Sequence, residues 1–369
     1  MPTHALDSIT IKGFKSIASV EVALRPINLL IGPNGSGKSN FIGVFSFLHA
    51  IREGRLQNYV TAAGGAEKIL HYGSKATPQL SLLISFGDGA NQYELILEAG
   101  LEDNLFPSQE FASFFQFHSR LWGRKGGREA GISDPKLAGV KDKKTENWVH
   151  DWLGSWRIYH VHDTSTSSPM RKTAKLNDNA YLRPDGSNLA AFLYFLKEKH
   201  EASFEFIQRT VRRVAPFFEA FRLEPLRLNP NTIKLEWRHQ DSDQYFDASS
   251  LSDGTLRFIA LATLFLQPKS LRPPVILIDE PELGLHPYAI ELLASLIRQV
   301  STETQVVVST QSSLLLDHFE PEDVLVANRV DGGTQLQRLK SSDLSQWLED
   351  YSLGQLWEKN EIGGRPGPE

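Results

Sequence analysis

Three short stretches carry residue types at spacings suited to phosphate chemistry. Gly32-Pro-Asn-Gly-Ser-Gly-Lys-Ser39 fits G-x-x-x-x-G-K-[ST]. Its glycines let main-chain N–H groups turn outward around a phosphate, and a following helix adds the positive end of its dipole. In such a loop Lys38 reaches the β- and γ-phosphates of a nucleotide and Ser39 ligates Mg²⁺. Val275-Ile-Leu-Ile-Asp-Glu280 is an apolar run ending in two carboxylates. Successive side chains diverge at a strand end, so Asp279 can enter a Mg²⁺ shell while Glu280 faces an attacking water. Val306-Val-Val-Ser-Thr-Gln-Ser-Ser313 ends a third apolar run on small polar groups. In open α/β sheets that is the side on which ligands sit.

The elements that must position these groups are legible around them. Ile27-Asn-Leu-Leu-Ile31 reads as a buried central strand before the glycine loop. Phe41, Ile42, Phe45, Leu48 and Ile51 keep helical spacing after it, to a stop near Gly54. Residues 275–279, 288–300 and 305–310 alternate strand, helix, strand, which implies a parallel β-α-β unit. Strand-like runs at 80–86 and 92–98 flank a glycine-containing turn and predict a hairpin. Helical spacing returns over 188–221, strand-like segments follow at 222–228 and 232–238, and a helix is expected from Thr255 to about Leu266.

Composition narrows the classes. The 369 residues hold 41% hydrophobic and 22% charged side chains, the balance of a folded domain with a large core. The absence of cysteine excludes disulfides, thiol catalysis and cysteine zinc sites. A formal charge of -5 gives no global attraction to nucleic acid, so DNA binding would need a local basic face. The stretch around 118–147, with Arg124-Lys-Gly-Gly-Arg128 and Lys141-Asp-Lys-Lys144, reads first as a solvated loop and second as such a face. The apolar runs are too short to span a bilayer and the N-terminus lacks a signal-peptide pattern, so a cytoplasmic protein without membrane attachment is expected. His160-Val-His162 puts two imidazoles on one strand face. With no further ligand apparent nearby in sequence, it reads as a surface or core pair. Asp241-Ser-Asp243 reads as a polar turn. The aromatic and leucine residues of 347–357 suit packing onto their own domain or docking a partner.

The glycine loop and the acidic pair stand about 240 residues apart, far more than one crossover needs, so an inserted region separates two lobes. Upstream of the acidic pair, Leu251-Ser-Asp-Gly254 resembles the signature motif of ABC-type ATPases, commonly Leu-Ser-Gly-Gly. Together with Asp279-Glu-Pro-Glu-Leu-Gly-Leu-His-Pro287 and Ile11-Lys-Gly-Phe-Lys-Ser-Ile17, the chain resembles the SMC and RecF branch of ABC ATPases. Within that branch it is similar to compact AAA-family predicted ATPases that lack the long coiled coil. The resemblance implies an α/β P-loop NTPase fold: an ABC-type head with a mostly parallel central sheet, an antiparallel β subdomain and a helical insertion. The expected segments are 1–110 (lobe with the glycine loop and hairpins), 111–225 (insertion), 226–335 (lobe with signature, acidic pair and switch) and 336–369 (tail).

The resemblance further implies ATP and Mg²⁺ as cofactors, with Gly32, Pro33, Asn34, Gly35, Ser36, Gly37, Lys38, Ser39, Asn40 and Lys15 around the nucleotide and Ser39 and Asp279 on the metal. Glu280 is then the general base, assisted by Lys38. Two subunits sandwich two ATP molecules, Ser252 and Gly254 of one capping the γ-phosphate bound to the other, with Leu283-Gly-Leu-His286 at the seam. Two departures stand out. Asp253 replaces a glycine and brings negative charge to the signature unless it pairs with a cation. Gln311 stands where the family's switch residue is usually histidine; it can orient a water but cannot become cationic, which implies slow hydrolysis without a titration near neutral pH. Gln57, Gln79 and Gln109 all remain open as the magnesium-sensing glutamine. The expected function is an ATP-hydrolysing dimer that gates a DNA-related process or a separately encoded effector, in DNA repair or anti-phage defence. The alternatives are an ATP-regulated nucleic-acid-binding protein acting on its own and a transporter's nucleotide-binding subunit.

Overall fold

The computed structural model describes residues 5–87, 89–114, 117–123 and 144–364. The chain forms two compact units, residues 1–156 with 320–369 and residues 157–319. The basic segment 124–143 lies outside the described residues.

In the first unit, β1 (Leu6–Phe14), β2 (Ile17–Ala23) and β3 (Ile27–Ile31) lead into α1 (Lys38–Arg52), α2 (Leu56–Ala62) and α3 (Ala66–Ile69). Then come β4 (Gln79–Phe86), β5 (Asn91–Ala99), β6 (Leu105–Phe114), β7 (Phe117–Gly123) and α4 (Lys144–Ser155). An antiparallel sheet runs in the order β2-β1-β4-β5-β6-β7. Its strands β4 and β5 alternate buried with part-exposed residues, the pattern of a sheet with one covered face. The expected hairpin is the β4–β5 pair, in register from Gln79↔Glu98 to Phe86↔Asn91. All five residues of β3 are buried, as a central parallel strand requires.

The second unit opens with β8 (Arg157–Tyr159) and β9 (Ala174–Lys175), followed by α5 (Leu189–Lys199) and α6 (Glu201–Val214). Short antiparallel strands follow: β10 (Phe218–Arg222), β11 (Pro225–Leu226), β12 (Asn229–Ile233), β13 (Glu236–His239) and β14 (Tyr245–Asp247). The remaining elements are α7 (Asp253–Leu266), β15 (Val275–Asp279), α8 (Pro287–Val300), β16 (Gln305–Ser309) and α9 (Ser313–Leu316). Strand β15 pairs in parallel with β16 on one side, Asp279↔Ser309 being the last pair, and with β8 on the other, up to Ile278↔Tyr159. The β-α-β unit read from the sequence is thus β15–α8–β16. Every residue of α7 from Leu256 to Leu266 is buried, so this helix is held by packing on all sides rather than by an amphipathic face.

The chain then returns to the first unit with β17 (Val324–Val330), β18 (Gly333–Arg338), α10 (Ser341–Leu344) and α11 (Leu353–Glu358). Strand β17 pairs in parallel with β3 and antiparallel with β18. Beyond α11, the Trp357 indole donates to the Gly364 carbonyl at 3.1 Å and the Gly364 N–H donates to Asn328 at 2.9 Å. A Cβ on Gly364 would stand 3.3 Å from the Gly32 Cα. The 347–357 segment therefore packs onto its own unit, next to the start of the glycine loop. Among the described residues no helix is long and apolar enough to cross a membrane.

Candidate functional site

In the first unit the glycine loop joins β3 to α1. Gly37 caps α1 in a left-handed conformation, without a side-chain hydrogen bond and with no acidic residue in the first turn. The leading N–H groups of α1 are therefore free of a competing carboxylate, the condition for a phosphate to take them. Two glycines are obligatory. At Gly32, φ 150, a Cβ would stand 2.4 Å from the Ala327 carbonyl oxygen; at Gly37, φ 103, it would stand 2.0 Å from Thr334 Oγ1. Gly35 (φ 83) faces open space. The Lys38 ammonium is buried and donates to the carbonyls of Gly32 at 2.6 Å and Pro33 at 3.0 Å. Ser36 Oγ is buried without a hydrogen-bond partner, whereas Asn34 and Ser39 are exposed. A buried orphan hydroxyl beside outward-facing amides fits a phosphate ligand.

The turn between β1 and β2 lies against this loop. Asn40 donates to Ser16 Oγ at 2.7 Å, and Ser16 Oγ shares a 2.7 Å hydrogen bond with Thr334 Oγ1. Lys15, at φ 49, sets its ammonium 5.5 Å from the centre of the Phe14 ring, and burial lowers its pKa from the ordinary lysine value.

In the second unit β15 ends on Asp279 and the chain turns sharply. Glu280 has φ 39, a strained conformation for a non-glycine residue and one that clusters at functional sites. Its N–H donates to the Ser309 carbonyl at 2.7 Å, and its carboxylate accepts from the Gln311 side-chain amide. The candidate base and the candidate switch are thus in direct contact. Glu282, two residues on, is buried. It accepts from Thr310 Oγ1 at 2.5 Å and the Gln311 N–H at 3.2 Å, while its other oxygen has no partner. Burial raises the Glu282 pKa, opposed by these hydrogen bonds. Glu282 was visible in Asp279-Glu-Pro-Glu282, but only the fold shows it tying the acidic turn to the end of β16.

At the signature, Ser252 caps α7 by accepting from the Thr255 N–H at 3.1 Å. A Cβ on Gly254 would stand 2.4 Å from the Gly284 carbonyl oxygen, so the 283–286 loop lies directly on the helix start. Asp253 is paired: Arg171 Nη2 donates to its carboxylate at 2.8 Å. The same guanidinium donates to the carbonyls of Thr164, Ser165, Ala248 and Leu251. Nothing in the sequence ties Arg171 to Asp253. The charge introduced by Asp253 is answered by a cation 82 positions upstream.

Of the candidate magnesium-sensing glutamines, Gln79 donates to Glu98 across β4 and β5, and Gln57 donates to the Leu105 carbonyl. Gln109 sits within the β6 ladder. The three lie on α2 and in the antiparallel sheet. The fold adds a third group to His160 and His162, which the sequence shows only as a pair. Asp279 joins them, and one ligand atom from each of the three lies within 4.8 Å of the others. The partner was invisible because it comes from β15, more than a hundred residues downstream. Partial desolvation lowers the His160 pKa, opposed by Asp279 and reinforced by His162.

Comparison with known proteins agrees with this architecture. Residues 27–317 match the family model described as "AAA domain, putative AbiEii toxin, Type IV TA system". No curated protein matches the chain significantly. Among solved structures, an SMC head bound to the C-terminal winged-helix domain of ScpA is 18% identical, covering 92% of this chain and 99% of its own, with TM-score 0.58. The Pyrococcus furiosus Smc head bound to the C-terminal domain of ScpA is 16% identical over 94% and 98%, with TM-score 0.56. The Pyrococcus yayanosii Smc head with coiled coil and joint is 12% identical over 94% and 99%, with TM-score 0.52. At these identities the likeness is one of fold.

Proposed function

From the premise that the chain belongs to this AAA-domain family and has the P-loop ATPase fold of SMC heads, we propose that it binds ATP with Mg²⁺ and hydrolyses it. The glycine loop and the first turn of α1 take the phosphates, and Lys38 exchanges its carbonyl partners for phosphate oxygens. Ser39 and Asp279 ligate Mg²⁺, which neutralises charge on the transferring phosphoryl group. Glu280 positions and deprotonates the attacking water, and the Gln311 amide orients the Glu280 carboxylate. The observation that carries this reading is the contact between Gln311 and a strained Glu280, because it spends conformational energy on aiming a carboxylate.

The active form is a dimer closed around two ATP molecules through Ser252 and Gly254. Closure gates a separately encoded protein in DNA repair or anti-phage defence. Two of the matched SMC heads are seen with a second protein, ScpA, and a partner of that kind suits a regulatory ATPase. Replacement of Glu280 by Gln tests the reading. We expect ATP turnover to fall by about 10²-fold or more, the range of general-base loss, while a species of twice the monomer mass accumulates with ATP and Mg²⁺. Turnover at the wild-type rate refutes the assignment of Glu280, and turnover lost without a dimer refutes the sandwich.

A further inference from the structure

We propose that His160, His162 and Asp279 form a binding site for one divalent first-row transition-metal ion. The site is built in steps. Strand β8 pairs in parallel with β15 up to Tyr159↔Ile278, so His160, just past the end of β8, comes beside Asp279, the last residue of β15. Val161 is buried while His160 and His162 on either side of it are not, so both imidazoles lie away from the core. The His162 Nε2 stands 3.9 Å from Asp279 Oδ2, and the two imidazole rings are 6.3 Å apart between centres.

No hydrogen bond accounts for this cluster. At 3.9 Å the His162–Asp279 contact is too long for one, and neither imidazole has a hydrogen-bond partner among the described residues. Yet the main chain that presents them is pinned. Arg257, buried in α7, donates to the Val161 carbonyl at 3.0 Å and to the His162 carbonyl at 2.8 Å. Arg171 secures the carbonyls of Thr164 and Ser165 just beyond. Two guanidinium groups thus fix the backbone of a three-donor cluster whose side chains are free to close on an ion. Metal bonds of about 2.1 Å bring ligand atoms to roughly 3–3.5 Å from one another. From within 4.8 Å, that is a contraction side-chain torsions can supply.

The donor set chooses the ion. Two imidazole nitrogens and one carboxylate oxygen suit Mn²⁺, Fe²⁺, Co²⁺ or Zn²⁺, whereas Mg²⁺ and Ca²⁺ prefer oxygen. Three protein ligands leave open positions for water or an oxyanion. His160 is exposed, so an ion has a route in. Among the described residues no other three histidine or carboxylate side chains come together in this way. Asp279 is also the carboxylate assigned above to Mg²⁺, so the proposal concerns which metal that strand end takes, and it holds without nucleotide.

The test uses untagged full-length protein, free of nucleotide, titrated with Co²⁺ and with Zn²⁺ and followed by visible absorption and by calorimetry. We expect one ion per chain, ligand-field bands for Co²⁺, and affinity reduced about tenfold or more in each of His160→Ala, His162→Ala and Asp279→Asn. A large excess of Mg²⁺ should leave the Co²⁺ bands in place. Equal binding by wild type and a His160→Ala, His162→Ala double variant overturns the site, and displacement of Co²⁺ by equimolar Mg²⁺ overturns its selectivity. His160 is exposed, so its single variant should keep the wild-type melting profile and carries the test if His162→Ala fails to fold. Lys38→Ala separates the two readings: it should abolish ATP binding and leave Co²⁺ binding intact.

Discussion

The two units build their candidate sites from different materials. In the first, the candidate site is main chain: amides at the head of α1, carbonyls that hold Lys38, and glycines pressed against Ala327 and Thr334. In the second it is side chain: Asp279, Glu280, Glu282, Gln311, two histidines and two buried or nearly buried arginines that meet across long stretches of sequence. A main-chain site is intolerant of a Cβ where its glycines are closely packed but indifferent to most side chains. A side-chain site tolerates backbone adjustment but fails when one partner of a cluster is removed.

The largest effects that would break this contrast are expected in the first unit. Gly32→Ala and Gly37→Ala each set a Cβ within 2.4 Å of another atom at positive φ. Each should cost about 2–4 kcal/mol in denaturant unfolding and abolish ATP binding. Gly35→Ala, where a Cβ meets nothing, should cost only about 1 kcal/mol. If all three cost the same, the loop is governed by φ alone and the close packing is irrelevant.

In the second unit, Arg171→Ala should cost about 3 kcal/mol, because it leaves several carbonyls and Asp253 without their donor. Asp253→Ala should cost less than about 1 kcal/mol, since that carboxylate is 64% exposed. Equal costs in thermal and chemical unfolding would mean that the ion pair, not the carbonyl clamp, holds the signature.

The smallest effect concerns Glu282. Burial raises its folded-state pKa above the ordinary 4.5, so the protonated form is favoured in the fold. Its contribution to stability is therefore present at low pH and lost as pH rises from about 4.5 through the raised value. Glu282→Gln should flatten that part of the profile while keeping an acceptor for Thr310. A melting temperature that falls equally in both proteins over that range would assign the slope to other groups.

The same contrast explains what could be read in advance. The strand Ile27–Ile31, the glycine loop, α1 and the β15–α8–β16 unit each announce themselves in one contiguous run, because periodicity and glycine spacing are local. The β4–β5 hairpin does so through its turn. Strand β8 has three residues and is recognisable only by its pairing with β15, so the meeting of His160 and His162 with Asp279 had no local signal. Arg171 ends a three-residue turn, nothing in its local sequence distinguishes it from a surface arginine, and only folding delivers it to Asp253. Glu282 stood in plain sight, but its burial depends on Thr310, which arrives from another strand.

The first unit is split in sequence while the second is continuous, and this sets an order for synthesis. The glycine loop, though made among the first forty residues, has no Ala327 or Thr334 beside it and no β17 paired with β3 until residues 320–364 emerge. Among the described residues its last neighbour along the chain is Gly364, held by Asn328 and Trp357. A nascent chain therefore carries the glycine loop without the neighbours that pack against it. If the loop takes a nucleotide as proposed, its packing is complete only once residues 320–364 have been made.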